Sequence, residues 1–208
     1  MRGHADVLRY AVLLIALMSQ ASCASHALSI ALVNGTDDEI AVRDQLERLQ
    51  ERYDLEPYLF TYKVHVDRTQ VPHSHPVLTL HTRHAGENDL LLSTFLHEQI
   101  HWYLSGRLMQ VNAAIAELQR LYPQVPAGFP EGARNARSSY LHLIVNQLEY
   151  HALADVIGKE RADAAFEFWR DDHYTWIYQK IFEDGRAIDA LLARHNLNWA
   201  DRNPRRSD

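Results

Sequence analysis

Cysteine is nearly absent: Cys23 is the only one in 208 residues. No internal disulfide can form, so stability must come from a packed core. An excess of positive charge is missing too. With 21 basic against 27 acidic residues and a net charge of −6, and with no basic stripe interleaved with aromatics, the chain is not expected to capture nucleic acid. Beyond the first 27 residues no apolar run approaches the ~20 residues that a membrane-spanning helix needs. Internal repeats, low-complexity linkers and a second-domain boundary are lacking as well, which predicts one globular domain over 28–198, followed by a polar tail over 199–208.

What is present begins with an export pattern. Arg2 and Arg9 precede an apolar run over 10–18 and the small-residue stretch SQASCASHA, which reads as a secretory signal peptide over 1–27. Ala21 and Ser22 before Cys23 fit a bacterial lipobox whereas Gln20 does not, so a lipid anchor at Cys23 is the secondary expectation. The mature chain is then periplasmic or secreted, or tethered as a lipoprotein.

Hydrophobic periodicity predicts a mainly helical α+β protein. LSIALV (28–33), YKVHVD (62–67) and VLTLHT (77–82) read as short strands, and Asn34-Gly35 turns the first into a helix over 39–52 capped by Thr36 or Asp37. A helical region follows. The stretch LLLSTFLHEQIHWYLSG (90–106) has Asn88 or Asp89 to cap its start and Gly106 beyond its end, and its apolar residues cover most of the circumference, so it must be buried. Further helices are predicted over 111–121, 133–157, 160–169, 174–182 and 185–195.

The buried helix contains His97-Glu98-Gln99-Ile100-His101. Residues four apart share a helix face, so His97 and His101 aim two imidazoles at one point, as Zn²⁺ requires. Glu98 is rotated ~100° from His97, which sets its carboxylate beside the ion rather than on it. There it can take a proton from zinc-bound water and pass it to a leaving amine. Two imidazoles and an acid on an otherwise apolar helix are costly to bury without a partner, and one zinc per chain supplies it.

A third protein ligand must come from elsewhere. In the helix spanning 138–158, His142, Asn146, Glu149 and Leu153 share one face, and Glu149 is an acid on a stripe that otherwise faces the core. Glu149 is therefore the expected ligand. His142 lies seven residues away, ~10 Å along the axis at ~1.5 Å per residue, too far for both to bind one ion. It is expected to orient a ligand, to donate to a developing oxyanion, or simply to pack in the core.

HEQIH, preceded by VLTLHT and followed by a helix carrying Glu149, resembles the gluzincin group of zinc metallopeptidases. HSHPVLTLHTR, FLHEQIHW and LHLIV..LEY are also similar to uncharacterised bacterial proteins of peptidase type, over residues 60–180. The resemblance implies zinc held by His97, His101 and a glutamate, Glu98 as general base, and a small sheet whose edge strand, here VLTLHT, pairs with an extended peptide or protein substrate. It also brings in Glu131, because in several zinc peptidases the ligand glutamate precedes a glycine, as in FPEG. A Tyr or His after the ligand glutamate often holds the oxyanion in that group, which makes His173, Tyr174 and Tyr178 candidates; Asn146, one turn before Glu149, is by its position a candidate to orient a ligand. The chain departs from the better-known members in lacking N-E-G-x-x-D, in having Leu153 four residues after Glu149, and in being much shorter.

The expectation is a small sheet followed by a helical bundle with a minimal gluzincin-like core, working as an exported zinc peptidase. The alternative is a non-catalytic, metal-dependent binding protein of the cell envelope.

Overall fold

The first two strands form where short apolar segments alternate between a more covered and a more open face, and the third where a short leucine-rich segment is buried on both faces. In the computed structural model, which describes residues 27–198, Ser29–Leu32 (β1), Lys63–Val66 (β2) and Leu78–Leu80 (β3) make a parallel sheet in the order β1-β2-β3. Ile30 lies opposite Val64, and Val64 and Val66 lie opposite Leu78 and Leu80. The signal segment, Cys23 and the polar tail fall outside the described residues, save Ala27.

Helix Asp37–Arg52 (α1) crosses from β1 to β2 and buries Val42, Leu46 and Leu49. Its start does not use the expected cap, since Thr36 makes no side-chain cap hydrogen bond. Glu39 does that work, reaching back over the turn at Gly35, which sits at φ 67. Its Oε2 accepts the backbone N–H groups of Asn34 (2.9 Å) and Gly35 (2.8 Å), and its Oε1 accepts Asn34 Nδ2 (2.7 Å) and Arg68 N–H (3.0 Å). Burial pushes this carboxyl up, but the four donors outweigh it and hold it below the ordinary range. Glu39→Ala, which orphans these donors, is expected to cost about 3 kcal/mol in urea denaturation. A lowered folded pKa stabilises above the unfolded value of ~4.3 and is lost as pH falls through the folded one. The gap between variant and wild type should therefore narrow in acid below pH ~4.

The helical layer consists of Asn88–Ser105 (α2), Leu108–Leu121 (α3), Ala136–Ile157 (α4), Lys159–Asp172 (α5) and Thr175–Arg194 (α6). Helix α4 is the hub, packing against α2, α3, α5 and α6, while α2 also packs on β3. Both α2 and α4 are buried around most of their circumference. The mainly helical α+β class expected from the sequence is the observed one.

Two helices predicted over 174–182 and 185–195 are one, α6. Gly185 does not break it; a Cβ there would stand 3.4 Å from Gln147 Oε1 on α4, so the glycine serves a close helix crossing. Gln99, inside the histidine motif, is fully buried and pins α2 to the sheet. Its Oε1 accepts the N–H groups of Phe60 (2.8 Å) and Thr61 (3.0 Å), and its Nε2 donates to Thr61 O (2.8 Å).

Candidate metal centre

Helices α2 and α4 cross so that three imidazoles face one another. His97 and His101 come from successive turns of α2, and His142 from the first half of α4. Their ring centroids form a near-equilateral triangle with sides of 5.0, 5.4 and 5.2 Å. One nitrogen from each lies within 4.8 Å of the others, the one such cluster among the described residues.

The rings are oriented as ligands. His142 Nδ1 donates to Ser138 O at 2.7 Å, which leaves its Nε2 lone pair for the cluster, and His97 Nδ1 meets Glu149 Oε2 at 2.9 Å, which turns its Nε2 toward the cluster. His97 Nε2 and His101 Nε2 stand 3.3 Å apart. Two nitrogens ~2.05 Å from one tetrahedral zinc are separated by about 3.3 Å, so this spacing fits an ion between them. Burial holds His97 down to about 4, and burial with the neighbouring His97 charge holds His142 down to about 3. His101 is lowered as well, mainly by burial. All three are neutral near pH 7, the form a metal takes.

Here the geometry departs from the sequence expectation about the third ligand. Glu149 is 1% exposed and lies behind His97, on the Nδ1 side of the ring, whereas the cluster forms at Nε2. His142 and Glu149 are both buried on α4, and the His97 ring meets each of them, His142 with centroids 5.4 Å apart and Glu149 at Nδ1. The α4 residue whose ring joins the cluster is His142, the one nearer the helix start. Glu131, the rival, is exposed in the loop before α4 and is not in the cluster.

Glu149 is held by a chain of hydrogen bonds that crosses three helices. Trp169 Nε1 donates to Ser93 Oγ at 2.9 Å, and Ser93 Oγ donates through a short bond to Glu149 Oε1. Burial raises the Glu149 carboxyl to about 8, with the Ser93 bond opposing. Sequence reasoning missed Ser93 and Trp169, although Ser93 lies one turn before His97 on the same face. Ser93→Ala leaves the Trp169 donor orphaned and the Glu149 carboxylate one bond short. It should weaken zinc binding about tenfold in a competition titration with a chromophoric chelator.

Glu98 points into a cavity of about 720 Å³ that the triad floors. Burial, and then the charge of Glu149, raises its carboxyl to about 8. His173, Tyr174 and Tyr178 line the same cavity, so all three oxyanion candidates reach it. Tyr174 packs against His142 with tilted rings, centroids 4.6 Å apart, and takes a left-handed conformation at φ 51, ψ 35, a strained backbone at the start of α6. Asn146 is fully buried between His142 and Glu149 on α4, with neither amide atom hydrogen-bonded. His81 also lines the cavity.

The edge of β3 is not free. The N–H of Thr79 donates to His73 O (2.8 Å) and its C=O accepts from His73 N–H (3.1 Å), an antiparallel bridge that occupies the outward-facing groups. Trp102 Nε1 fastens this segment to α2 by donating to Ser74 O at 2.8 Å, and His75 stacks on the Trp102 ring.

Comparison of the chain with protein families, with curated proteins and with solved structures finds no match. The likeness to gluzincins rests on the residues quoted above. No helix among the described residues is long and apolar enough to cross a membrane.

Proposed function

We propose that the protein is a zinc-dependent hydrolase that cleaves a peptide or related amide bond, with one ion held by His97, His101 and His142. The observation that carries this reading is the convergence of three neutral imidazoles beside a buried glutamate, Glu98, at the floor of a cavity. A structural zinc site uses four protein ligands, and the cluster offers three, which favours catalysis over a structural clasp.

Zinc in such a site supplies Lewis acidity and lowers the pKa of water toward ~7. The chain's own residues do the rest. Glu98 takes one proton from the attacking water and returns it to the leaving nitrogen, while the C–N bond breaks and the new C–O bond forms. Glu98, raised by burial, would be favoured in the ionised form that a base needs with a cation bound beside it. Tyr174, which packs against His142, would donate to the oxyanion. Glu149 fixes the tautomer and orientation of His97.

The export pattern at the N-terminus supports work outside the cytoplasm, in the periplasm or beyond. The test is a mixture-based library of internally quenched peptides. Cleavage should be abolished by a chelator and restored by one equivalent of zinc. Cleavage that survives full metal removal would contradict the reading.

A further inference from the structure

The cavity has a charge unlike that of the molecule. The protein carries a net −6, yet among the described residues the only acids lining this cavity are the buried Glu98 and Glu149, while Arg83 and Arg134 both line it. Arg83 is already engaged: its Nη1 donates to Asp172 Oδ2 at 2.9 Å and its Nη2 to Oδ1 through a short bond. Arg134 is exposed and has no ion pair or hydrogen bond among the described residues.

Apolar surface accompanies the free guanidinium. Phe129 is 81% exposed and Val71 is 76% exposed, and these two large side chains, from different loops, line the same cavity. Exposed apolar groups that converge on one cleft mark a binding surface in a way that scattered ones do not.

The loop that presents Phe129 and Arg134 is a built frame. Gly128 N–H donates to Ala133 O (2.7 Å), Ala133 N–H to Ser139 Oγ (3.0 Å), and Thr175 and Trp176 at the start of α6 donate to Pro130 O (3.0 Å) and Glu131 O (3.3 Å). A Cβ on Gly132 would come within 2.2 Å of Pro126 O, so backbone packs directly on backbone there. Such preorganisation reduces the entropy lost when a ligand is gripped. Because His73 closes the edge of β3 at Thr79, recognition falls to side chains and end groups rather than to strand pairing.

We infer that the cleft selects amphiphilic carboxylates: an acyl-amide substrate with an apolar side chain seated against Phe129 and Val71, and a carboxylate paired with Arg134. The bond that is cleaved rests on the hydrolase reading above; the binding preference does not. A single free guanidinium matches one planar carboxylate.

The test uses two probes, N-acetylphenylalanine and its carboxamide, titrated calorimetrically into the purified metal-loaded protein and into Arg134→Gln. Any carboxylate affinity for the metal is common to both proteins, so the change in the acid-to-amide ratio isolates Arg134. The ratio should fall about fivefold in the variant, as for an exposed ion pair. Arg134→Lys should keep part of it, and the wild-type preference should shrink in high salt. Equal binding of both probes by the wild type, or the same ratio in Arg134→Gln, would overturn the inference. If the Arg134-dependent preference holds while no peptide in the library is cleaved, the anion site stands and the hydrolase reading falls. If peptides are cleaved but the acid and the amide bind with the same ratio in both proteins, the hydrolase stands and the anion site falls.

Discussion

His142→Ala should lose zinc altogether under conditions where Glu149→Gln still binds one equivalent. The physical basis is position on the His97 ring. His142 contributes to the nitrogen cluster itself, whereas Glu149 meets Nδ1, the nitrogen that faces away from it. Removing an outer partner of a ligand histidine costs about 10- to 100-fold in metal affinity. Removing one of three ligands costs more, because the remaining pair cannot close a tetrahedral site. Competition with a chromophoric chelator measures both, and thermal unfolding in excess chelator checks that the alanine variant is folded. The opposite ranking, with Glu149→Gln losing the ion and His142→Ala retaining it, would return the third-ligand role to the glutamate.

Glu98→Gln should keep its zinc and lose turnover by about 10²- to 10⁴-fold, the usual contribution of a positioned general base. The amide matches the acid in shape, and Glu98 lies beside the imidazole cluster rather than in it, so metal affinity should change little. Replacing a buried acid with a neutral group also relieves the cost of burying a charge. In chelator the variant should therefore unfold no earlier than the wild type. Steady-state hydrolysis of the best peptide from the library, alongside metal analysis, decides it. Activity within threefold of wild type would remove Glu98 from the chemistry.

Much of this architecture was legible from local pattern. Strand β2 was visible because Val64 and Val66 alternate with more open neighbours, and α2 because its apolar residues surround a segment ending at Gly106; the expected caps Asn88 and Asp89 lie inside that helix, whose N-cap, Glu87, makes no side-chain cap hydrogen bond. His97, Glu98 and His101 share one helix, so their relation follows from helical geometry alone. Which α4 residue joins His97 and His101 was not legible, since His142 and Glu149 share a face of α4 and only the crossing of α2 over α4 decides which meets the cluster. Periodicity sees one helix at a time.

Other features were hidden for the same reason. Ser93 and Trp169 come together across helices α2 and α5, 76 residues apart in sequence. The break predicted between 182 and 185 failed because a glycine beside Gln147 reads like a helix end until the neighbouring helix is known. The free edge expected for VLTLHT was closed by His73, whose return to pair with Thr79 depends on the path of a loop.

The most direct measurement is X-ray absorption at the zinc edge of the purified, zinc-loaded protein. Three imidazoles and one light non-protein atom at ~2.0 Å in tetrahedral array are expected, reduced to two imidazoles in any residual metal bound by His142→Ala. Two imidazoles plus a carboxylate in the wild type, or a protein that binds no zinc on reconstitution, would contradict the three-histidine centre.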